Sequence, residues 1–370
     1  MKVMKLSLCM IVKNEEDTLD RALSTASVYA DEIIIVDTGS TDGTEKIARS
    51  FTDKVYEFEW RDDFSAARNY AISKATGDYY MWLDADDVIP APTAKKLRAA
   101  LDRLSSDVDM VMLPYVAETD EQGNPAFSYY RERIMKNSPD YYFRGRVHEA
   151  VPPRGNTVKL PFAVLHKKPQ NKRAGSRNLD IYTKMRAEGI KFEPRETYYY
   201  ARELYYNGLY DDAAQAFTEF LNTRGGFTPN YIDACIMLSR CYARRKLYDA
   251  ALDALFHSFV YGLPTGEAAC EIGLTYYTKS DYARAAYWFE LAAKAKPDMS
   301  SGAFVDINCY GFLPNVWLTV CYDRLGDIKK AYSRHRRAER LRPDHPSVAA
   351  NRKYFDSLSL SADNGKTKEQ

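Results

Sequence analysis

The sequence has no C-x-x-C pair, no long apolar run and no excess of either charge, and each absence excludes a class of protein. Its six cysteines (Cys9, Cys235, Cys241, Cys270, Cys309, Cys321) are scattered singly, as reduced core thiols are, so a clustered metal or dithiol redox site is not expected. The longest early apolar stretch, Leu6 to Val12, runs straight into Lys13-Asn14-Glu15-Glu16, too short and wrongly flanked for a signal peptide or a membrane span. A cytoplasmic protein without a membrane span is therefore expected. The 52 Lys and Arg balance 51 Asp and Glu, so no chain-wide field draws the protein to nucleic acid or an anionic surface. Histidine is scarce too, at 5 residues. What remains is ordinary globular composition, 45% hydrophobic and 28% charged, with an abundance of tyrosine, 29 residues. A chain of 370 residues is about two domains long.

Two architectures share it. Up to about residue 165, β-rich runs (Leu6 to Val12, Glu32 to Asp37, Lys54 to Glu59, Tyr79 to Asp84, Asp109 to Val116) alternate with helical stretches beginning near Glu15, Gly43, Phe64 and Pro90. That order predicts a mainly parallel sheet with right-handed crossovers, whose ligands bind beyond the carboxyl ends of the strands. Beyond about Glu193 the chain reads as helix after helix. A small-aromatic pattern recurs there: Tyr210, Ala213, Phe217; Tyr248, Ala251, Leu255; Tyr282, Ala285, Phe289; Ile328, Ala331, His335. These units resemble tetratricopeptide repeats, which stack into a solenoid with a concave face. The domains expected are thus 1–170 for the sheet domain, 171–192 for a linker, 193–355 for the repeats, and a polar tail over 356–370; the basic run Lys167 to Arg177 reads as a solvated connection or as a lid over the cleft.

The densest chemistry lies in Tyr80-Met81-Trp82-Leu83-Asp84-Ala85-Asp86-Asp87, where a strand ends in three carboxylates. Crowded carboxylates repel unless a cation or a donor network compensates, so the cluster suits Mn²⁺ or Mg²⁺ bridging to a diphosphate. The plainer alternative is an acidic turn in which Asp87 caps the next helix. Three further segments stand with it in order: Met10 to Glu16, Ile35 to Thr44 and Phe64 to Asn69. Together the four motifs resemble the family 2 glycosyltransferases of GT-A fold, closely over residues 5–105 and loosely over 106–170. With helical repeats behind them, the architecture is similar to repeat-bearing bacterial enzymes, including the peptide S-glycosyltransferases that modify bacteriocins.

That resemblance implies roles. Asp37 would meet the base of the nucleotide, Arg68 the same base or its phosphates, and Asp84, with Ala85 beside it, the ribose or metal. Asp86 and His166 would hold the metal, while Lys13, Asn14 and Glu15 line the rim of the nucleotide site. Glu149 is the candidate catalytic base, although many relatives carry Glu-Asp where this chain has His148-Glu149, so His148 stands beside it as base or partner. The activity implied is metal-dependent, inverting transfer of a hexose from a nucleotide sugar, a UDP-hexose by preference. A peptide or protein acceptor is expected, by analogy with solenoids that present peptide grooves. A glycan, small-molecule or nucleic-acid acceptor and an inactive binding scaffold are the alternatives. The repeats would select the acceptor or form a homodimer. The basic residues Lys167, Lys168, Lys172, Arg173 and Arg177, and those from Lys329 to Arg342, read as solvated faces before they read as a nucleic-acid surface.

Overall fold

The computed structural model describes residues 4–119, 123, 125–167, 175–299 and 301–366, within two compact units, Met1–Glu203 and Leu204–Gln370. In chain order the first unit contains β1 (Leu6–Val12), α1 (Leu19–Ala26), β2 (Glu32–Asp37), α2 (Thr44–Phe51), β3 (Val55–Glu57), α3 (Phe64–Ile72) and β4 (Tyr79–Trp82). Next come β5 (Asp87–Val88), α4 (Ala91–Leu101), β6 (Met110–Thr119), β7 (Pro125–Lys136), β8 (Thr157–Lys159), β9 (Val164–His166) and α5 (Arg177–Ala187). Helix α6 (Pro194–Tyr206) closes it, its last three residues falling in the second unit.

Alternation along the strands decides the layers. Leu6, Leu8, Met10 and Val12 of β1 enter one core and Cys9 the other, because successive strand side chains face opposite ways. In β4, Tyr79 and Met81 join the first core while Tyr80 and Trp82 join the second. Helices α1 and α4 cover the first face with Leu19, Leu23, Leu97 and Leu101; α3 covers the second with Ala71 and Ile72. The strand order is β3-β2-β1-β4-β7-β6-β9-β5, with β8 beside β6. From β3 to β4 every pairing is parallel, and the register sets Val12 against Asp37 and Cys9 against Trp82, so the carboxyl ends of β1, β2 and β4 lie together.

The sheet is mixed, because β7 enters between β4 and β6 and runs antiparallel to both. Its sequence hides it: it starts with a proline and carries Arg131, Glu132 and Arg133 in succession. The strand expected around His148 is not formed. Residues 143–151 instead make a loop closed by one bridge, Arg144 to Ala150, with Gly145 and His148 both at positive φ. Residues 171–192, expected to be linker, include α5, and the backbone of α14 (Pro346–Lys366) enters the expected polar tail. Lys168, Lys172 and Arg173 lie outside the described residues.

The second unit continues with α7 (Tyr210–Leu221), α8 (Thr228–Arg244), α9 (Tyr248–His257), α10 (Gly266–Thr278), α11 (Tyr282–Lys294), α12 (Phe312–Arg324) and α13 (Ile328–Leu341), before α14. Tyr210, Tyr248, Tyr282 and Ile328, the markers of the sequence repeat, each open a helix, and Ala213, Ala251, Ala285 and Ala331 are fully buried. The turn before each marker is the same. Gly208, Lys246, Ser280 and Gly326 are left-handed, at φ 79°, 59°, 61° and 78°. The next residue's N–H reaches back to Leu204, Tyr242, Tyr276 and Tyr322 at 2.9–3.0 Å, the bond that closes a Schellman motif.

Candidate active site

Beyond β1 and β2, two loops lock each other. Asn14 takes a left-handed conformation (φ 53°), accepts a hydrogen bond from the Thr41 N–H through Oδ1 at 2.8 Å and donates its own N–H to Ser40 Oγ at 3.0 Å. Glu15 is half-buried, with its N–H on Thr44 Oγ1 at 2.7 Å and its carboxylate accepting from the Thr18 hydroxyl. Helix α1 begins only at Leu19, later than expected, because these residues serve the loops. Asp37 is buried, and its Oδ1 accepts from the N–H groups of Gly39 and Ser40 at 2.9 and 2.8 Å, so it shapes the turn at which it stands. Lys13 is exposed beside them.

After β4 the chain delivers its carboxylates to different partners. Asp84 Oδ1 lies 2.6 Å from Arg68 Nη2, and Arg68 Nε lies 2.6 Å from Glu149 Oε1, so one guanidinium joins two of the predicted site carboxylates. Arg68 is sealed in, its plane over the Trp82 indole at 4.5 Å, with Nη1 buried and lacking a hydrogen-bond partner. Arg68, expected at the base or its phosphates, thus bridges Asp84 and Glu149. Burial alone would raise the Asp84 carboxyl, but Arg68, then Arg133 and Arg131, hold it down at about 2. Ala85 is buried between.

Asp86 and Asp87 turn the other way, toward β9. The β5–β9 pairing sets Asp87 opposite His166, and the Lys167 N–H donates to the Asp86 carbonyl at 2.8 Å. His166 Nδ1 stands 3.5 Å from Asp86 Oδ1 and 3.4 Å from Asp87 Oδ1. Ligand atoms from Asp86, Asp87 and His166 all fall within 4.8 Å of one another, the one such group among the described residues. Asp87 does not cap α4, whose N-cap is Pro90. Its Oδ2 instead meets Arg133 Nη2 at 2.9 Å in a fully buried pair, leaving Oδ1 toward His166. Burial, with the charges of Asp84, Asp87 and Glu15, pushes the Asp86 carboxyl above its ordinary value against the pull of His166. The bond to Asp87, with the surrounding acids, raises the His166 imidazole against burial. Burial leads the Asp86 shift, and the acids that add to it also raise His166, a negative charge that a divalent cation would relieve. Two carboxylates with an imidazole form a donor set for a divalent cation. The residues present therefore fit the metal.

His148, next to Glu149, faces different company, with Nε2 2.7 Å from Glu203 Oε1 on α6. Nothing local in the sequence marks Glu203, which lies 55 residues away, and Arg133 was likewise missed. Elsewhere, burial pushes the Cys235, Cys241 and Cys321 thiols up to about 12, so none is a ready thiolate. Three of the six lysines and arginines of α13 stand in ion pairs, Arg334 to Glu290, Arg336 to Glu339 and Lys330 to Asp327. No helix among the described residues is long and apolar enough to cross a membrane.

A sheet of this order, ending in a carboxylate-imidazole group beside a turn-lined rim, has the form of a sugar-nucleotide transferase domain. Residues 7–153 match the model of glycosyl transferase family 2, so the first unit carries a domain of that family. The chain is 38% identical over 147 residues to a TPR repeat-containing protein of Synechococcus elongatus, covering 40% of this chain and 35% of that one. It is 27% identical over 253 residues to the SPbeta prophage-derived glycosyltransferase SunS of Bacillus subtilis, covering 65% and 59%. Both relatives are thus matched over less than two thirds of their length. Among solved structures, the TPR protein YrrB matches with 17% identity and a TM-score of 0.37 over 48% of this chain and 82% of its own.

Proposed function

We propose that the protein is a metal-dependent glycosyltransferase that moves a hexose, with inversion, from a nucleotide sugar to a peptide or protein acceptor in the cytoplasm. The observation that carries this reading is the convergence of Asp86, Asp87 and His166 beside the Asp84–Arg68–Glu149 chain, at the carboxyl end of β4. A cation held by Asp86, Asp87 and His166 would neutralise the diphosphate leaving group, the site of greatest charge development in such a transfer. In this reading Asp84 and Asp37 receive ribose and base, Arg68 fixes Asp84, and Asn14 and Glu15 hold the rim in shape. UDP is the favoured nucleotide and Mn²⁺ the favoured ion. The peptide acceptor rests on the habit of helical solenoids to present grooves to peptides.

The test is release of nucleoside diphosphate from UDP, GDP and dTDP sugars with Mn²⁺, with water as the default acceptor. Asp86→Ala should lower kcat by roughly 10²–10³ or more. The same nucleotide with Mn²⁺ should raise the melting temperature of the wild type, since binding to the native state alone stabilises it. Inertness toward every donor together with no thermal shift would instead mark a scaffold whose work lies in its repeats.

A further inference from the structure

Two groups of the 148–149 pair compete for the role of base, and their surroundings separate them. Glu149 has Oε1 on Arg68 Nε at 2.6 Å and a side chain only 9% exposed. It is one end of a closed ionic chain, and its removal would leave Arg68 partly unpaired. The His148 side chain is 31% exposed and is fixed from several sides. Its ring stacks on Tyr199 at 4.2 Å and lies nearly parallel to Tyr182 at 6.4 Å. Its carbonyl accepts from Arg195 Nη2 at 3.0 Å, and Nε2 is bonded to Glu203, which also accepts from Asn178 Nδ2 at 3.1 Å.

The backbone agrees. His148 sits at φ 51°, a left-handed conformation uncommon for a residue with a side chain and one that gathers at functional sites. Nothing in the 143–151 loop needs a histidine to make this turn, but the conformation aims the ring at α6. Burial would raise the Glu203 carboxyl, yet the bonds from His148 and Asn178 and the charges of His148 and Arg202 hold it below its ordinary value, as an anion facing the imidazole.

We infer that His148 is the general base of the transfer and that Glu203 is its positioning residue, with Glu149 serving to hold Arg68. This rests on the glycosyltransferase reading. With Nε2–H donated to Glu203, Nδ1 carries the lone pair. The acceptor's X–H bond breaks and its proton passes to Nδ1. The freed pair on X forms the bond to the anomeric carbon as the bond from that carbon to the diphosphate oxygen breaks, and that oxygen leaves with its electron pair on the nucleoside diphosphate. The Glu203 carboxylate supports the imidazolium that results; near it stand Arg195 on the His148 carbonyl, Arg202 acting on Glu203, Arg131 on the Glu149 carbonyl, Glu149 itself and the phenols of Tyr182 and Tyr199.

The experiment measures kcat and KM for donor hydrolysis against pH in the full-length protein. It compares wild type with His148→Asn, Glu203→Gln and Glu149→Gln. Asparagine tolerates the left-handed position, so His148→Asn keeps the loop. It should lose roughly 10²–10⁴ in kcat and the acid limb of the profile, with donor KM little changed. Glu203→Gln should lose roughly 10- to 100-fold in kcat at unchanged KM and shift that limb to lower pH, because an amide no longer supports the protonated ring. Glu149→Gln should act on donor KM and on the nucleotide-induced melting shift while keeping the limb. A Glu203→Gln profile that superimposes on wild type, or a limb that vanishes with Glu149 and survives without His148, overturns the inference alone. A wild type that turns over no donor and gains no stability from nucleotide overturns the glycosyltransferase reading beneath it.

Discussion

The same backbone conformation serves opposite ends in the two units. In the first, Asn14 and His148 are left-handed and each is tied by its own side chain, Asn14 to Thr41 and His148 to Glu203. In the second, Lys246 and Ser280 are left-handed at turn positions where sibling repeats carry Gly208 and Gly326. Their strain is a by-product of the hairpin. The repeats thus reach this conformation through turn geometry alone, whereas at Asn14, Asp62 and His148 the left-handed residue's own side chain is bonded.

The comparison breaks most violently at the buried charges, which the first unit concentrates behind its site. Arg133 and Asp87 are both fully buried, so Arg133→Leu leaves a sealed carboxylate without its cation and should cost about 3–5 kcal/mol, read from the urea midpoint. A loss below about 1 kcal/mol would show that water reaches Asp87. Next in size is the contrast of the strained residues. Asn14→Gly should relieve the backbone but destabilise by about 1 kcal/mol through the lost Thr41 bond. Lys246→Gly and Ser280→Gly should gain about 0.5–1 kcal/mol each and leave donor turnover untouched. Equal responses at Asn14 and Lys246 would dissolve the distinction.

Acid sharpens it. At the amino end of β2, Glu32 is opposed by burial, yet bonds from Lys54, Ser7 and Thr76 bring its carboxyl down to about 2. A depressed carboxyl contributes stability that is complete above its unfolded value, about 4.3, and is lost as pH falls toward the folded one. After allowance for solvent screening the contribution is about 1 kcal/mol. Glu32→Gln should therefore lose it at pH 7 and show a flatter decline between about pH 4.3 and 2 in the thermal midpoint.

Much of this was legible in the sequence because it is periodic or local. Leu6 to Val12 and Glu32 to Asp37 are short, near-continuous apolar runs that occupy the bounds expected, and the repeat markers fall on helix starts because each repeat packs the same small residue against its neighbour. Asp86 and His166 are paired through the family resemblance, not by a local pattern, and they lie 3.5 Å apart. What stayed hidden is long-range and charged. Strand β7 buries Arg133 and half-buries Arg131 where a core strand is expected to place apolar groups. The alternation from Phe143 to Val151 is real in burial, with Phe143, Val147, Glu149 and Val151 all inside, but the left-handed His148 turns the chain out of any strand. Glu203 can be recognised only once α6 is folded against the 143–151 loop.

One indole lies amid these charges. Trp82 has the guanidinium carbons of Arg68, Arg131 and Arg133 at 4.5, 4.6 and 3.9 Å from its ring, with Nε1 donating to the Glu132 carbonyl. Indole emission shifts with the electric field across the ring, so Trp82 is a voltmeter built into the floor of the site. An arriving diphosphate that draws on any of the three cations should change its colour, which makes an unlabelled optical titration available, with Trp82→Phe as its blank.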